Sequence, residues 1–146
     1  MRVTALFLFL SAVLFSCGPG DVKRVNTGSM EIPKDSSLYT SITWLDSTSR
    51  NYGSIAEGRT LEVAFRFLNS GNKPLIISRV QPSCGCTVAE QPDAPIMPGK
   101  EGVIKASFNS EGRTGVNHKK IYVMANTRGT QSNEVEFSVL VEKKKW

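Results

Sequence analysis

The middle of the chain alternates strictly between large apolar side chains and smaller or polar ones. Across residues 61–67 every second residue is Leu, Val or Phe, and Glu62, Ala64 and Arg66 lie between them. Successive side chains of a β-strand point to opposite faces of a sheet, so this period of two predicts a strand with one buried face. Such strands bury their apolar faces against a second layer, and the pattern therefore favours a layered β architecture.

Six further stretches have the length and composition of strands, and no window shows the 3.6-residue period of an amphipathic helix. Residues 75–80 form a β-branched apolar run that favours a more buried strand. Prolines 92, 95 and 98 with Gly99 exclude regular structure until Ile104. The predicted strands are residues 41–45, 52–55, 61–67, 75–80, 104–108, 121–125 and 135–141.

Seven or eight short strands without a helix predict an all-β, immunoglobulin-like β-sandwich of two packed sheets. Aromatic side chains on the apolar faces are expected to fill the core. These are Trp44, Phe65, Phe67, Phe108 and Phe137.

The first residues do not fit the alternating pattern. After Arg2 the chain has 13 predominantly apolar residues, followed by Ser16 and Cys17. A membrane-spanning helix needs about 20 apolar residues, so the run is too short to be one. This layout predicts a signal peptide over residues 1–16, removed from the mature protein.

The residues before Cys17 resemble the lipobox of bacterial lipoproteins: Leu14, Phe15 and Ser16 precede the cysteine. The resemblance implies that the thiol of Cys17 is diacylglycerylated and becomes the first residue of the mature chain. The alternative is an ordinary signal peptide with an incidental cysteine. We favour the lipid, because an apolar run rarely ends by chance in a small residue and a cysteine.

Residues 17–37 contain glycine, proline and many polar residues without a hydrophobic period, which predicts a flexible, lipidated tether. Residues 38–146 then form the sandwich, and a domain of this size folds without disulfides or metals. The net charge of +5 in 146 residues is spread along the chain. Nothing in that distribution favours a nucleic-acid partner.

Cys84 and Cys86 are the remaining thiols once Cys17 is lipidated. In a secreted compartment they have to be paired, metallated or shielded. On an extended strand the Cα atoms of residues i and i+2 lie roughly 6.5–7 Å apart, near the upper limit for a disulfide. A bond between Cys84 and Cys86 therefore needs the bend that Gly85 permits. A loop this small adds little stability. Structural packing is favoured, while redox chemistry and metal binding stay open.

A metal-binding role would take the form of a copper site. Cu(I) accepts two thiolates with His118, Met97 or Met124 as a further ligand, whereas structural zinc wants four good ligands. His118 is the only histidine and lies beside Lys119 and Lys120. An exposed imidazole without a function is favoured there over a ligand, and we expect no metal and no cofactor.

The sequence offers no motif of a catalytic site. It has no G-x-S-x-G nucleophile elbow and no glycine-rich phosphate loop. Four carboxylates are scattered through predicted turns and strand starts, where a solvated surface role is favoured. They are Glu57, Asp93, Glu101 and Glu111.

Asp46, Ser47 and Thr48 resemble the short O-glycosylation acceptor of Bacteroidetes-type envelope proteins, with Ser47 as the modified residue. A plain turn is the favoured alternative, because three-residue patterns recur by chance.

Five blocks of the chain together resemble the bacterial domain of unknown function 1573, over residues 42–142. The Ser-Cys-Gly-Cys-Thr block at residues 83–87 is the specific one. Where that family often has an aspartate before an aromatic-glycine pair, this chain has Asn51. The resemblance implies an immunoglobulin-like fold related to the sperm-protein and Hydin-type domains, and it implies no activity. The other blocks are residues 52–58, 65–74, 95–99 and 108–113.

These features predict a non-enzymatic interaction or structural module held to a bacterial membrane by lipid on Cys17. We expect the outer membrane, with the domain facing the periplasm, and an envelope protein or glycan as the partner. The alternative is a thiol-redox or copper-handling protein that uses Cys84 and Cys86.

Overall fold

The computed structural model describes residues 30–144, which form eight β-strands and one 3₁₀-helical turn. The predicted signal peptide and Cys17 lie outside the described residues. No helix within residues 30–144 is long and apolar enough to cross a membrane. The elements in chain order are the 3₁₀ turn (Ser36–Leu38), β1 (Ile42–Trp44), β2 (Ser49–Ala56), β3 (Thr60–Asn69), β4 (Ile77–Pro82), β5 (Thr87–Glu90), β6 (Glu101–Asn109), β7 (Gly115–Ala125) and β8 (Ser132–Glu142).

The strands form two sheets of four, with the order β1-β3-β6-β5 in the first and β2-β8-β7-β4 in the second. β2 runs parallel to β8, and the other neighbouring strands are antiparallel. β1 and β2 therefore lie on one side of the sandwich, and β4 and β5 lie on the other. This architecture confirms the predicted all-β, immunoglobulin-like sandwich.

The apolar faces of the two sheets meet in a single core. Val63, Phe65 and Phe67 of β3 are at most 3% exposed, as their alternation predicted. Phe108 of β6 lies edge-on to Phe137 of β8, with ring centroids 6.0 Å apart. This contact joins the first sheet to the second, and burying each such ring contributes about 1.5–3 kcal/mol.

The ring of Phe67 is enclosed by Gly102 and Trp44. A Cβ at Gly102 would lie 2.3 Å from Cζ of Phe67, so no side chain fits there while the ring stays in place. Trp44 packs edge-on against Phe67 at 5.7 Å between centroids. It is only partly buried, because β1 is a three-residue edge strand. Trp44 was predicted to fill the core, but it covers only the rim.

Two strands differ from the sequence-based expectation. β5 was not predicted, since Thr87–Glu90 is only four residues long and lies between a bend and a proline-rich loop. The apolar run at residues 75–80 was predicted to be the more buried strand, and this was wrong. β4 begins at Ile77, lies at the edge of its sheet and exposes Arg79 and Gln81.

A buried asparagine fixes the end of the sandwich where β3 finishes. The amide oxygen of Asn69 accepts hydrogen bonds from the Thr40 hydroxyl at 2.9 Å and the Gly71 N–H at 3.2 Å. Its amide nitrogen donates to the carbonyls of Lys73 and Ile96, both at 2.8 Å. Every polar atom of the side chain is thus paired, which is what full burial requires.

A second buried asparagine, Asn126, ties the entering chain to the same end. Its amide oxygen accepts from the Ile76 N–H at 2.7 Å, and its amide nitrogen donates to the carbonyls of Leu38 and Pro74 at 2.9 and 3.0 Å. Leu38 lies at the predicted boundary between tether and domain, and upstream of it Met30 and Ile32 line a groove together with Met124 of β7.

Candidate functional site

Cys84 and Cys86 are joined by a disulfide in the loop that leads from β4 of the second sheet to β5 of the first. Their sulfurs are 1.99 Å apart and their Cα atoms 5.3 Å apart. Cys86 is 9% exposed and belongs to the core, whereas Cys84 is partly buried and Gly85 between them is exposed. Cys84 is therefore the more exposed residue of the pair.

A threonine hydroxyl lies beside both sulfurs. Oγ1 of Thr87 is 3.8 Å from Sγ of Cys84 and 4.0 Å from Sγ of Cys86, and Thr87 is 3% exposed. The main chain holds this arrangement in place. The Thr87 N–H donates to the Cys84 carbonyl at 3.3 Å, and the Asn109 N–H donates to the Cys86 carbonyl at 2.9 Å.

The structure does not bring together the residues that the alternative copper site would need. His118 lies on β7, and its side chain is exposed. It is two residues from Lys120, whose carbonyl accepts a hydrogen bond from the N–H of Ser83 at 2.9 Å. Met97 lies in the loop before β6, and Met124 near the far end of β7. Within the described part of the chain, no three His, Cys, Asp or Glu side chains are placed to hold a metal ion.

The predicted glycosylation triplet lies in the loop that carries the chain from β1 to β2. The exposed Ser47 hydroxyl donates to the Ser49 carbonyl at 2.7 Å. The Asp46 carboxylate accepts from the guanidinium of Arg66 at 3.1 Å and from its main-chain N–H at 2.8 Å. These hydrogen bonds, first that of the guanidinium, lower the pKa of Asp46 from its usual value. Glycosylation of Ser47 stays a prediction.

On the side of the sandwich formed by β1 and β2, half of β3 has an open edge. β1 pairs only with Phe67, Leu68 and Asn69, and β3 begins at Thr60. On this side β1 is the only neighbour of β3 in the sheet. Within residues 30–144, no strand therefore lies beside the part of β3 from Thr60 to Arg66. This part of the first sheet therefore ends in main-chain groups that no strand pairs.

The hydrogen bonds along β3 show which groups face outward. The Arg66 carbonyl accepts from the Leu45 N–H at 2.9 Å on this side, and the Ala64 carbonyl accepts from the guanidinium of Arg50 at 3.0 Å. Alternate residues of an antiparallel ladder point their N–H and C=O groups to the same neighbour. The N–H and C=O of Glu62 therefore also face the open edge.

A groove of about 310 Å³ lies between this edge and β2. The ring of Tyr52 forms part of its wall and packs edge-on against Phe137 at 6.1 Å between centroids. The guanidinium carbon of Arg50 lies 5.1 Å from the centroid of the same ring. The Tyr52 hydroxyl is buried and has no hydrogen-bond partner among the described residues. The lining residues are Arg50, Tyr52, Glu62, Val63, Ala64 and Lys105.

The other edges are shorter or interrupted. β4 has an irregular register between Ile77 and Arg79 and ends at Pro82, which has no N–H to donate. β2 is irregular between Asn51 and Ser54, and β5 has four residues. Bulges, prolines and short length all oppose the addition of a strand. The first half of β3, in regular register with β6, is the edge best suited to it.

Sequence reasoning did not find this groove. The period of two placed Glu62 and Ala64 on the outer face of β3, but nothing local in the sequence shows which strand edge stays open. The short β1 is the one available indication, because three residues cannot cover a ten-residue neighbour.

Known structures define the class of the fold. The chain is similar to a protein of unknown function from Porphyromonas gingivalis W83, with 17% identity and a TM-score of 0.63, over 73% of this chain and 49% of that one. It is also similar to a PapD-like domain of human CEP192, with 10% identity and a TM-score of 0.55, over 96% of this chain and all of that one.

The Vibrio cholerae VesB protease contains a similar portion, with 9% identity and a TM-score of 0.54, over 72% of this chain and 32% of the protease. At these identities the likeness concerns the fold alone, and the chain spans about half of the Porphyromonas protein. The fold is that of an immunoglobulin-like, PapD-like β-sandwich.

Residues 43–141 match the family described as protein of unknown function DUF1573. The chain belongs to this family, as the Ser-Cys-Gly-Cys-Thr block predicted. No curated protein matches the chain.

Proposed function

We propose that the protein is a lipid-anchored, non-enzymatic binding module of the bacterial cell envelope, and that it binds an extended polypeptide segment along the open edge of β3. The observation that carries this proposal is the regular stretch from Thr60 to Ala64, whose outer edge no strand pairs within residues 30–144 and where, on that edge, only the Ala64 carbonyl accepts a hydrogen bond, from Arg50. A segment that lies antiparallel to β3 would satisfy its outward main-chain groups and extend the first sheet by one strand.

The groove indicates the chemistry of the segment. Arg50 and Lys105 carry two positive charges against the single negative charge of Glu62. The ring of Tyr52 forms part of the wall and offers an apolar surface. A segment that inserts an apolar side chain against this ring and carries an adjacent carboxylate complements both features.

The expected affinity of such a contact is low. Five residues of strand span about 16 Å, and each main-chain hydrogen bond contributes about 0.5–1.5 kcal/mol net. A membrane anchor offsets low affinity by raising the local concentration of the two partners. Lipid on Cys17, the outer membrane and a periplasm-facing domain are parts of the proposal for this reason.

Photo-crosslinking in the native envelope tests this proposal. A photoreactive residue at position 60, at the start of the open edge, is expected to capture a protein. The same residue at position 116, on the outer face of the second sheet, serves as the matched control and is expected to capture none.

A proline separates strand addition from other modes of contact. Glu62→Pro removes an N–H that faces away from β6, so the pairing of β3 with β6 is expected to persist. The crosslink at position 60 should be lost in this variant and retained in Glu62→Gln, which keeps the N–H. A crosslink that survives Glu62→Pro, or one that a glycan-degrading enzyme removes and a protease does not, contradicts strand addition.

A further inference from the structure

The most specific block of the sequence, residues 83–87, has no role in binding along β3. The disulfide loop lies between β4 and β5, and those strands are on the opposite side of the sandwich from β2 and the open edge of β3. Whatever Cys84 and Cys86 do is therefore independent of the groove.

Stabilisation of the fold does not explain the disulfide. The stabilising effect of a disulfide grows with the length of the loop that it closes, and here a single residue separates the cysteines. The sandwich already has a continuous apolar core from both sheets. A domain of this size does not need a disulfide cross-link for stability.

Gly85 leaves the surface of the loop open. Its φ lies outside the left-handed region that favours glycine, since the glycines with positive φ among residues 30–144 are at other positions. Apart from its neighbours Cys84 and Cys86, a Cβ at Gly85 would meet no atom within 4 Å. Neither the backbone nor the packing of more distant residues requires glycine there, and Gly85 itself is exposed.

The two sulfurs are suited to different steps of an exchange reaction. Cys84 is the more exposed residue of the two, so its Sγ is the one that an incoming thiolate would attack. Cys86 is buried beside the Thr87 hydroxyl. A thiolate released on Cys86 would accept a hydrogen bond from that hydroxyl, and such a bond stabilises the charged form.

A lysine side chain packs against the strand that neighbours Thr87. The ammonium of Lys119 lies 5.6 Å from the centroid of the Phe108 ring, and Phe108 is the register partner of Thr87. Lys119 therefore places a cation beside the strand that pairs with Thr87.

We propose that the Cys84–Cys86 disulfide oxidises a pair of thiols in another envelope protein by thiol–disulfide exchange. A thiolate of that protein bonds to Sγ of Cys84, the Sγ–Sγ bond breaks, and Cys86 leaves as a thiolate. The second thiolate of the same protein then attacks the mixed disulfide and releases Cys84. Two electrons and two protons pass from the partner's dithiol to Cys84 and Cys86, and the partner gains a disulfide.

Redox titration of the full-length protein, purified from the envelope in detergent, tests this proposal. The protein is equilibrated with buffers of different reduced-to-oxidised glutathione ratio, and the state of the pair is measured by alkylation and mass spectrometry. The same samples are checked for folding by circular dichroism. A reduced Cys-X-X-Cys peptide serves as the probe for the partner's dithiol.

The pair is expected to reduce reversibly within the glutathione range while the domain stays folded, and to oxidise the peptide. Thr87→Val keeps the size of the side chain and removes the hydroxyl. It should shift the exchange constant about tenfold toward the oxidised protein and raise the thiol pKa measured from the pH dependence of alkylation, whereas Thr87→Ser should behave like the wild type.

Reduction that occurs only when the domain unfolds would overturn the proposal. So would an exchange constant that is the same in Thr87→Val and the wild type, or a peptide that stays reduced. These results would assign the disulfide to structure alone, and they leave strand addition at β3 unaffected.

Discussion

The guanidinium of Arg50 donates a 3.0 Å hydrogen bond to the main-chain carbonyl of Ala64. Arg50 is on β2 of the second sheet, and Ala64 is on the open edge of β3 in the first. One side chain thus crosses the gap between the sheets, pairs an edge carbonyl and lies over the ring of Tyr52. It leaves the outward groups of Glu62 available.

Replacing Arg50 is expected to weaken the domain at this contact. Arg50→Met removes the hydrogen bond and the cation–π contact, and it should lower the free energy of unfolding by about 1–2 kcal/mol. Arg79→Met, an exposed arginine on β4, is the matched control and should change it by less than about 0.5 kcal/mol. Equal effects in denaturant unfolding would show that Arg50 makes no such contact.

The register of β3 predicts that substitutions on its inner and outer faces change the free energy of unfolding by very different amounts. Phe65→Ala empties a fully buried site and is expected to cost about 3–5 kcal/mol, as is Phe137→Ala in the facing sheet. Glu62→Ala, on the outer face, should change stability by no more than about 0.5 kcal/mol. If denaturant melts ranked Glu62 above Phe65, the inner and outer faces of β3 would have to be exchanged.

How far the sequence predicts this molecule depends on the range of the interactions involved. The period of two placed Phe65 inside and Glu62 outside, because the direction of a side chain on a strand is a local property. Arg50 and Ala64 lie on different sheets, and their contact depends on pairing that local patterns do not encode. The sequence offered Cys84 and Cys86 as a pair, but the bend that brings their sulfurs together is a property of the folded loop.

The Asp46–Arg66 pair predicts a loss of stability in acid. Hydrogen bonds from the Arg66 guanidinium and N–H lower the pKa of Asp46 in the folded protein below its usual value of 3.8. A depressed pKa stabilises the fold above the unfolded-state value, and this contribution disappears as the pH falls through the folded-state value. Unfolding of the wild type and Asp46→Asn, compared between pH 7 and about pH 2, should show a difference that shrinks in acid. A difference independent of pH would exclude this pair as its source.

The membrane anchor is predicted to depend on a single thiol. Cys17→Ala should abolish labelling by a radioactive fatty acid and leave an unprocessed or soluble protein, because no other acceptor follows the lipobox-like residues. Cys84→Ala serves as the control and should be labelled like the wild type. Labelling that persists in Cys17→Ala would remove lipid anchoring from the account.

Amide hydrogen exchange at the open edge tests strand addition most directly. The full-length protein is compared, free and in the complex captured through position 60, by exchange and mass spectrometry. The amides of Glu62 and Ala64 are expected to exchange at least about tenfold more slowly in the complex, because a partner strand would pair them. Amides around Val116 and Leu140 should exchange at the same rate in both samples. Unchanged exchange at Glu62 and Ala64, with protection on another surface, would contradict the claim that the partner binds along β3.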